Sequence, residues 1–257
     1  MSLSVDALRF AYGKTEVLRG LSLAPLPRGS LIALIGPNAA GKSTLFQCLA
    51  GILRPQAGRI TLNGLDLLDL SRREHLHRVC YMPQSYSASA ALTVFEVILL
   101  ARQRLTHQRS KAEDLDRVDA LLKQFDIEAL SDRLISDLSG GQQQLVSLCQ
   151  ALARDAELFL LDEPTSALDL KRQLQVLGQL AAETRQRSAL TMIAVHDLSL
   201  AARFADHVVV LDGGTISAAG PTEAVFSSGV IEGTFDVDIE LLRSEASGLI
   251  VAASLIS

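Results

Sequence analysis

The sequence predicts an α/β fold: a mostly parallel sheet covered by helices on both faces, with a smaller helical lobe inserted into it. Three observations carry that prediction. Short apolar runs alternate with amphipathic helical patterns, the order a buried parallel sheet requires. One such run, SLIALIG at 30–36, passes through GPNAAGKST into an apolar helix containing Leu45 and Leu49; this is the strand–loop–helix setting of a phosphate-binding loop. Between the N-terminal and C-terminal strands lies a proline-free stretch, about 93–132, whose apolar residues fall at helical spacing.

The elements follow in order. Up to about Gly64, apolar runs alternate with turns: 30–36 is a strand, LRPQAG is a turn because Pro55 and Gly58 resist helix, and RITLNG at 59–64 is a strand ending in a turn. Leu115, Val118, Leu121, Leu122 and Phe125 share a helical face, predicting two or three helices in a lobe at about 88–155. LSGGQQQLVSLCQALARD opens the next helix, with Leu145, Leu148, Cys149 and Leu152 on one side. ELFLLDEP is too short for anything but a strand. Residues 169–183 are helical, with Leu170, Leu174, Leu177 and Ala181 in a stripe. LTMIAVH is a further strand, and HVVVLDGGTISAAG is a hairpin turning at Asp212-Gly213-Gly214. Residues 1–230 are expected to form one unit and 231–257 an extension, in which GLIVAASL reads as a strand or a short helix.

Composition narrows the function. Apolar residues are 48 % of the 257, enough for a large core, and the formal net charge is −5. An acidic chain without Trp, and with only Tyr12, Tyr81 and Tyr86 as phenols, is poorly equipped to coat or stack on nucleic acid. Cys48, Cys80 and Cys149 are widely spaced and form no C-x-x-C pair. They are expected to be buried thiols in a reducing compartment, not disulfides or zinc ligands. MSLSVDALRF is not a secretory signal, and no apolar run approaches a membrane span. A cytoplasmic location is expected, with membrane contact only through a partner.

The motifs supply the chemistry. Gly36, Pro37, Asn38, Ala39, Ala40, Gly41, Lys42, Ser43 and Thr44 match G-x-x-x-x-G-K-[ST] in full. The loop amides and the helix N-terminus suit a β-phosphate, Lys42 the β- and γ-phosphates, Ser43 a Mg²⁺ ion, and Thr44 a further phosphate bond. Asp162 ends the strand LFLLD, where a carboxylate reaches the Mg²⁺ shell. Glu163 follows at once and is placed to polarise a water in line with the γ-phosphate. His196, ending LTMIAVH on the same sheet edge, is expected to donate to the γ-phosphate and hold water and Glu163 in line, not to act as general base. Ser139, Gly140, Gly141 and Gln142 open a second helix with a nest of their own. By itself SGG need only cap that helix. Beside a complete phosphate loop, it is expected to serve the nucleotide of a second copy across a two-fold axis.

Taken together, GPNAAGKST, YMPQ, LSGGQQQ, LFLLDEP, SALD and the histidine of AVHDL resemble the ordered motifs of ABC transporter ATP-binding subunits, over about 3–226. The resemblance implies a P-loop NTPase core, an N-terminal antiparallel β subdomain and an inserted helical subdomain. It also implies ATP and Mg²⁺ as cofactors. It gives Tyr12 the role of stacking on adenine, Gln84 that of touching Mg²⁺ or the attacking water and facing a permease, and Ser139, Gly140 and Gly141 that of contacting the opposite γ-phosphate. Asp169 would couple the two sites, Glu163 would be the catalytic carboxylate and His196 the switch histidine. One departure is Ala39, where many members have glycine; its methyl is compatible with a right-handed backbone, and activity is expected to survive.

Within that family the runs LDLLDLSRREHLHRVCYMPQS, TVFEVILLARQ and AVHDLSLAARFADHVVVLDGGTISAAGPTEAVF are most similar to bacterial importers of the iron–siderophore, haem or cobalamin type. The implied partners are a second copy, a multi-helix membrane permease contacted near Gln84, Tyr86 and 87–92, and, indirectly, a substrate-binding protein. The implied location is the cytoplasmic face of the bacterial inner membrane. The alternatives are a zinc/manganese importer, an exporter, and, in another class, a soluble ATPase acting on ribosomes or DNA. The last normally pairs two ATPase units or carries long insertions, and this chain has one set of motifs.

Overall fold

The computed structural model describes residues 2–84, 91–103, 111–244 and 248–256. Strands β1 (Ser2–Tyr12) and β2 (Thr15–Pro27) form an antiparallel hairpin. Strand β3 (Leu31–Ile35) then enters the central sheet and leads into α1 (Lys42–Leu49). Strands β4 (Ala57–Leu62) and β5 (Leu65–Asp66) return to the hairpin, completing a four-stranded antiparallel sheet in the order β2-β1-β4-β5. Helix α2 (Arg72–Arg78) starts at a capping box, Ser71 with Glu74, and delivers the chain to β6 (Val79–Met82).

The lobe between β6 and the next strand holds α3 (Val94–Gln103), α4 (Lys111–Gln124) and α5 (Gly140–Leu152). There follow β7 (Leu158–Asp162), α6 (Leu170–Arg187), β8 (Leu190–Ala194), α7 (Leu198–Phe204) and the hairpin β9 (His207–Asp212) and β10 (Thr215–Pro221). Short helices α8 (Thr222–Phe226) and α9 (Val230–Phe235) lead to a last hairpin, β11 (Val237–Ser244) with β12 (Gly248–Leu255). GLIVAASL is therefore a strand. Its carbonyl at Val251 accepts from Ser199 Oγ at 3.0 Å, which fastens the hairpin to α7.

The central sheet runs β10-β9-β3-β8-β7-β6, parallel except for β10 at one edge. Buried on both faces, its strands read as continuous apolar runs, and alternate residues serve two cores. Leu31, Ala33, Ile35, Phe159 and Leu161 join the core under α3–α7. Ile32, Leu34, Leu158 and Leu160 join the core shared with α1 and the antiparallel sheet. The three cysteines are buried and unpaired, and burial pushes the Cys48 thiol up to about 12. No helix among the described residues is long and apolar enough to cross a membrane.

Two packing expectations change. Leu170, expected on the buried stripe of its helix, is 67 % exposed, because the first turn of α6 overhangs the core; Val176, Leu177, Leu180 and Ala181 form the buried face. Leu115 is only half-buried, while neighbouring Asp114 is buried against Arg102 with Nε–Oδ1 at 3.1 Å. That ion pair belongs to a larger arrangement at the C-terminal end of α5. Three guanidinium groups from different helices donate to its last carbonyls: Arg102 to Ala153 O at 2.9 Å, Arg117 to Leu152 O at 3.1 Å, and Arg187 to Leu152 O at 2.7 Å and Arg154 O at 2.8 Å. Cations at a helix C-terminus complement its dipole, and Glu183 joins Arg117 and Arg187 at 2.5 Å each.

Candidate functional site

The sheet gathers chemistry at the carboxyl ends of its parallel strands, where ligands of open α/β sheets bind. The end of β3 gives the glycine-rich loop, β6 gives Gln84, β7 gives Asp162 and Glu163, and β8 gives His196. A cleft of about 570 Å³ is lined by Val17, Asn38, Ala39, Gly41, Lys42, Ser43, Thr44, Gln84, Glu163 and His196. Residues more than 150 positions apart in sequence thus share one cavity.

The loop is shaped by close approach. At Gly36 an added Cβ would sit 2.1 Å from the Leu211 carbonyl oxygen, so no other residue fits. Ala39 has φ +62°, in the left-handed region, not the right-handed one that would suit alanine. This corrects the expectation of an unstrained methyl there; an L-residue in that region costs about 1–2 kcal/mol. Lys42 is buried and folds back, its Nζ donating to Gly36 O at 2.6 Å and Pro37 O at 3.0 Å. Burial lowers its pKa, against the opposing pull of Glu163 and Asp162.

Asp162 is 3 % exposed. Its carboxylate takes hydrogen bonds from Ser43 and from Tyr81 Oη, the latter at 3.4 Å. Burial raises its pKa; the Ser43 bond opposes this, and the nearby Glu163 charge adds to it. The site therefore holds a buried carboxyl group, which the Lys42 charge compensates only in part, next to the hydroxyl of Ser43. A cationic lysine resting on two carbonyls, and a buried hydroxyl–carboxylate pair of hard oxygen ligands, are a fitting donor set for a polyphosphate with a divalent metal.

Glu163 is held from three sides. Gln84 Nε2 donates to Oε2 at 2.8 Å, and His196 Nε2 meets Oε1 at 2.5 Å. A carboxylate only accepts, so Nε2 carries the proton in that contact. The backbone of Glu163 is left-handed, φ +50°, and its carbonyl accepts from Gln144 Nε2 at 2.8 Å. An oriented carboxylate at a cleft wall, with its oxygens fixed by two donors, can align a water for attack on a phosphoryl group.

The remaining motif residues lie elsewhere. Tyr12, at the end of β1, is 51 % exposed, packs edge-on to Phe10 at 4.8 Å and donates to Gln47 Oε1 at 3.4 Å. Ser139, Gly141, Gln142 and Asp169 line a different cleft of about 530 Å³, which shares no residue with the first. Ser139 caps α5 in a box with Gln142: Gln142 N donates to Ser139 Oγ at 3.4 Å, and Ser139 N to Gln142 Oε1 at 3.0 Å. The two glycines differ. A Cβ at Gly140 would meet nothing within 4 Å, whereas one at Gly141 would press the Ala167 carbonyl oxygen at 2.8 Å. Asp169 caps α6 through Arg172 N at 2.8 Å.

Two contributors escape sequence reasoning. Tyr81 reaches Asp162 because alternate residues of β6 face α1, a pattern legible only once β6 is placed beside β7. Gln144 is buried by the turn after Glu163; in the sequence it is one of three successive glutamines at 142–144, with nothing to mark it as the buried one. Tyr86 and 87–90, expected to contact a permease, lie outside the described residues.

A family model described as ABC transporter matches residues 18–166. The Iron(3+)-hydroxamate import ATP-binding protein FhuC of Bacillus subtilis is 34 % identical over 94 % of this chain and 90 % of its own length. The Hemin import ATP-binding protein HmuV of Rhodopseudomonas palustris is 37 % identical over 95 % of this chain and 91 % of its own. A solved structure of the ATP binding subunit of an ABC transporter superposes with a TM-score of 0.78 at 28 % identity, covering 91 % of this chain and 93 % of that one.

Proposed function

The chain belongs to the ABC transporter family as an ATP-binding subunit, and on that premise we propose that it hydrolyses ATP to drive a membrane importer of ferric siderophores, haem or a related metal chelate. The single observation that carries this is Glu163, fixed between Gln84 and His196 on the wall of the cleft that holds Lys42, Ser43 and Thr44. A nucleotide store has no use for an oriented second carboxylate beside Asp162; hydrolysis does.

The roles follow from chemistry. Gly36–Gly41 backbone, with Pro37, Asn38, Ala39 and Ala40, cradles the β-phosphate. Lys42 exchanges the carbonyls of Gly36 and Pro37 for the phosphates, and Thr44 binds a further phosphate oxygen. Ser43 and Asp162, with Gln84, would hold Mg²⁺, which when bound would neutralise charge on the phosphates. Tyr12 stacks on the adenine. Glu163 orients the water, and His196 keeps Glu163 and the γ-phosphate aligned.

Ser139, Gly141 and Gln142 line another cleft, which supports their serving the partner's nucleotide, with Gly140, in a two-fold dimer that has Asp169 at the seam. The open space at Gly140 suits a phosphate arriving from outside the chain. Closure on ATP and reopening after hydrolysis then move a permease on the cytoplasmic face of the membrane. The groove for the permease lies beside Gln84: Leu76, Met82, Pro83, Ala101, Gln150 and Ala151 line a cavity of about 340 Å³ there. The chelate class rests on the FhuC and HmuV relatives, whose names state those cargoes. The test is reconstitution with the permease encoded beside it, measuring ATPase stimulation by binding proteins loaded with ferric siderophore, haem, cobalamin or zinc. Stimulation by zinc alone would reject the chelate class, and absence of any MgATP hydrolysis would reject the whole proposal.

A further inference from the structure

Gln144 is the fifth residue of α5, and its side chain enters the loop that follows Asp162. It is buried, and it makes three hydrogen bonds there: Nε2 donates to Glu163 O at 2.8 Å and Ser166 Oγ at 3.2 Å, and Oε1 accepts from Ala167 N at 2.9 Å. Ser166 N and Oγ also donate to Glu163 O, at 3.3 and 3.2 Å. The carbonyl of Glu163 is thus the hub of a small network, and Glu163 itself holds a left-handed φ that no glycine relieves. A backbone in that region persists when its surroundings over-determine it. Gln144 is the member of the network contributed by another element.

That element is the helix capped by Ser139. Gly141 packs its backbone against Ala167 so closely that a Cβ would not fit, and the far end of α5 is clamped by Arg102, Arg117 and Arg187. A helix held at its C-terminus moves as a lever when its N-terminus is displaced. Gln144 lies one turn from that N-terminus, where displacement is large.

We infer that Gln144 is a positioning residue: it sets the backbone of Glu163, and through it the N-terminal end of α5 governs hydrolysis at the chain's own cleft. The inference rests on the proposed catalytic role of Glu163. When the Ser139 end of α5 engages a second chain, the side chain of Gln144 carries the shift to Glu163 O and Ala167 N. Docking of α5 then adjusts, through the Glu163 backbone, the carboxylate that Gln84 and His196 hold.

The experiment is a double-mutant cycle on the full-length chain. Gln144→Met keeps length and removes all three hydrogen bonds. It should lower kcat about 100-fold, as a displacement near 1 Å does, while MgATP affinity stays within about twofold. In single-turnover phosphate release, adding Gln144→Met to Glu163→Gln should cost nothing further, because the first acts through the second. In that background MgATP should no longer protect the 163–168 amides from hydrogen exchange, although the 36–44 amides stay protected. Additive losses, a parallel fall in ATP affinity, or unchanged protection at 163–168 overturn the inference. If Gln144→Met does not fold, Gln144→Glu, which keeps the acceptor for Ala167 but no donor, is read the same way; if neither folds, Gln144 is scaffold and the inference falls. Wild-type protein without ATPase activity would instead refute the reading of the site.

Discussion

His196 Nε2 and Glu163 Oε1 stand 2.5 Å apart, joining the end of β8 to the residue after β7 across the rim of the cleft. Gln84 takes the other oxygen at 2.8 Å. The two donors fix the carboxylate plane, so the lone pairs left over are directed. Glu163→Gln keeps the shape and removes the basicity. Hydrolysis should fall by about 10²–10⁴-fold while MgATP binding persists and a dimer accumulates. Phosphate release near the wild-type rate, measured with a phosphate-binding fluorophore, would remove Glu163 from that role.

In the 36–44 loop, Ala39 is the one residue whose backbone and side chain disagree, at φ +62°. Glycine at this position removes a Cβ clash of about 1–2 kcal/mol and returns some of it as unfolded-state entropy. Ala39→Gly should therefore raise Tm by about 2–4 °C, the equivalent of about 1 kcal/mol in a chain of this size, with ATPase activity retained. A lower Tm by differential scanning calorimetry would mean that the loop does not carry this strain.

Asp162 is an acid buried without full compensation, its pKa raised chiefly by desolvation. A raised folded-state pKa favours the neutral form: the stability it allows is complete at pH below the ordinary carboxylate value and is lost as pH rises through the raised one. Asp162→Asn is neutral at every pH. At pH 7.5 without nucleotide it should melt higher than wild type, and the gap should close as the pH is lowered and Asp162 protonates. Mg²⁺-dependent hydrolysis should be lost in the same variant. A gap that is constant with pH would exclude burial of charge as its cause.

How much was legible in advance depends on locality. The glycine-rich loop, Asp162 with Glu163, and His196 each sit at the end of an apolar run, so strand ends alone bring them to one sheet edge. Short-range signals also gave the β9–β10 hairpin at Asp212-Gly213-Gly214. The backbone state of Ala39 was not legible, because φ at a loop residue is set by how the whole loop is folded and not by the residue's own type. Nor was Gln144: a glutamine in a helix is ordinarily solvated, and only the packing of α5 on the turn after β7 turns it inward. Leu170 failed for a related reason, since periodicity names a face but not where the core stops. Asp114 and Arg102 were hidden because a buried ion pair is written in two helices, and neither partner is unusual alone.

The separation of Ser139 from the Lys42 cleft leads to the last prediction. Asn38 is an exposed residue of the 36–44 loop, and Ser139 opens α5 on the wall of a cleft that contains no residue of that loop. Within one chain the two should not meet; across a two-fold dimer each Asn38 should face the partner's Ser139. One preparation carries Glu163→Gln with Asn38→Cys, and a second carries Glu163→Gln with Ser139→Cys. The native thiols of Cys48, Cys80 and Cys149 are buried and pushed up in pKa, so they stay silent in the folded protein. A short bis-maleimide added to the mixture with MgATP should give a covalent dimer on a denaturing gel, and neither preparation alone should. No dimer from the mixture, in protein that binds ATP, would mean that the helix capped by Ser139 does not complete a neighbour's site.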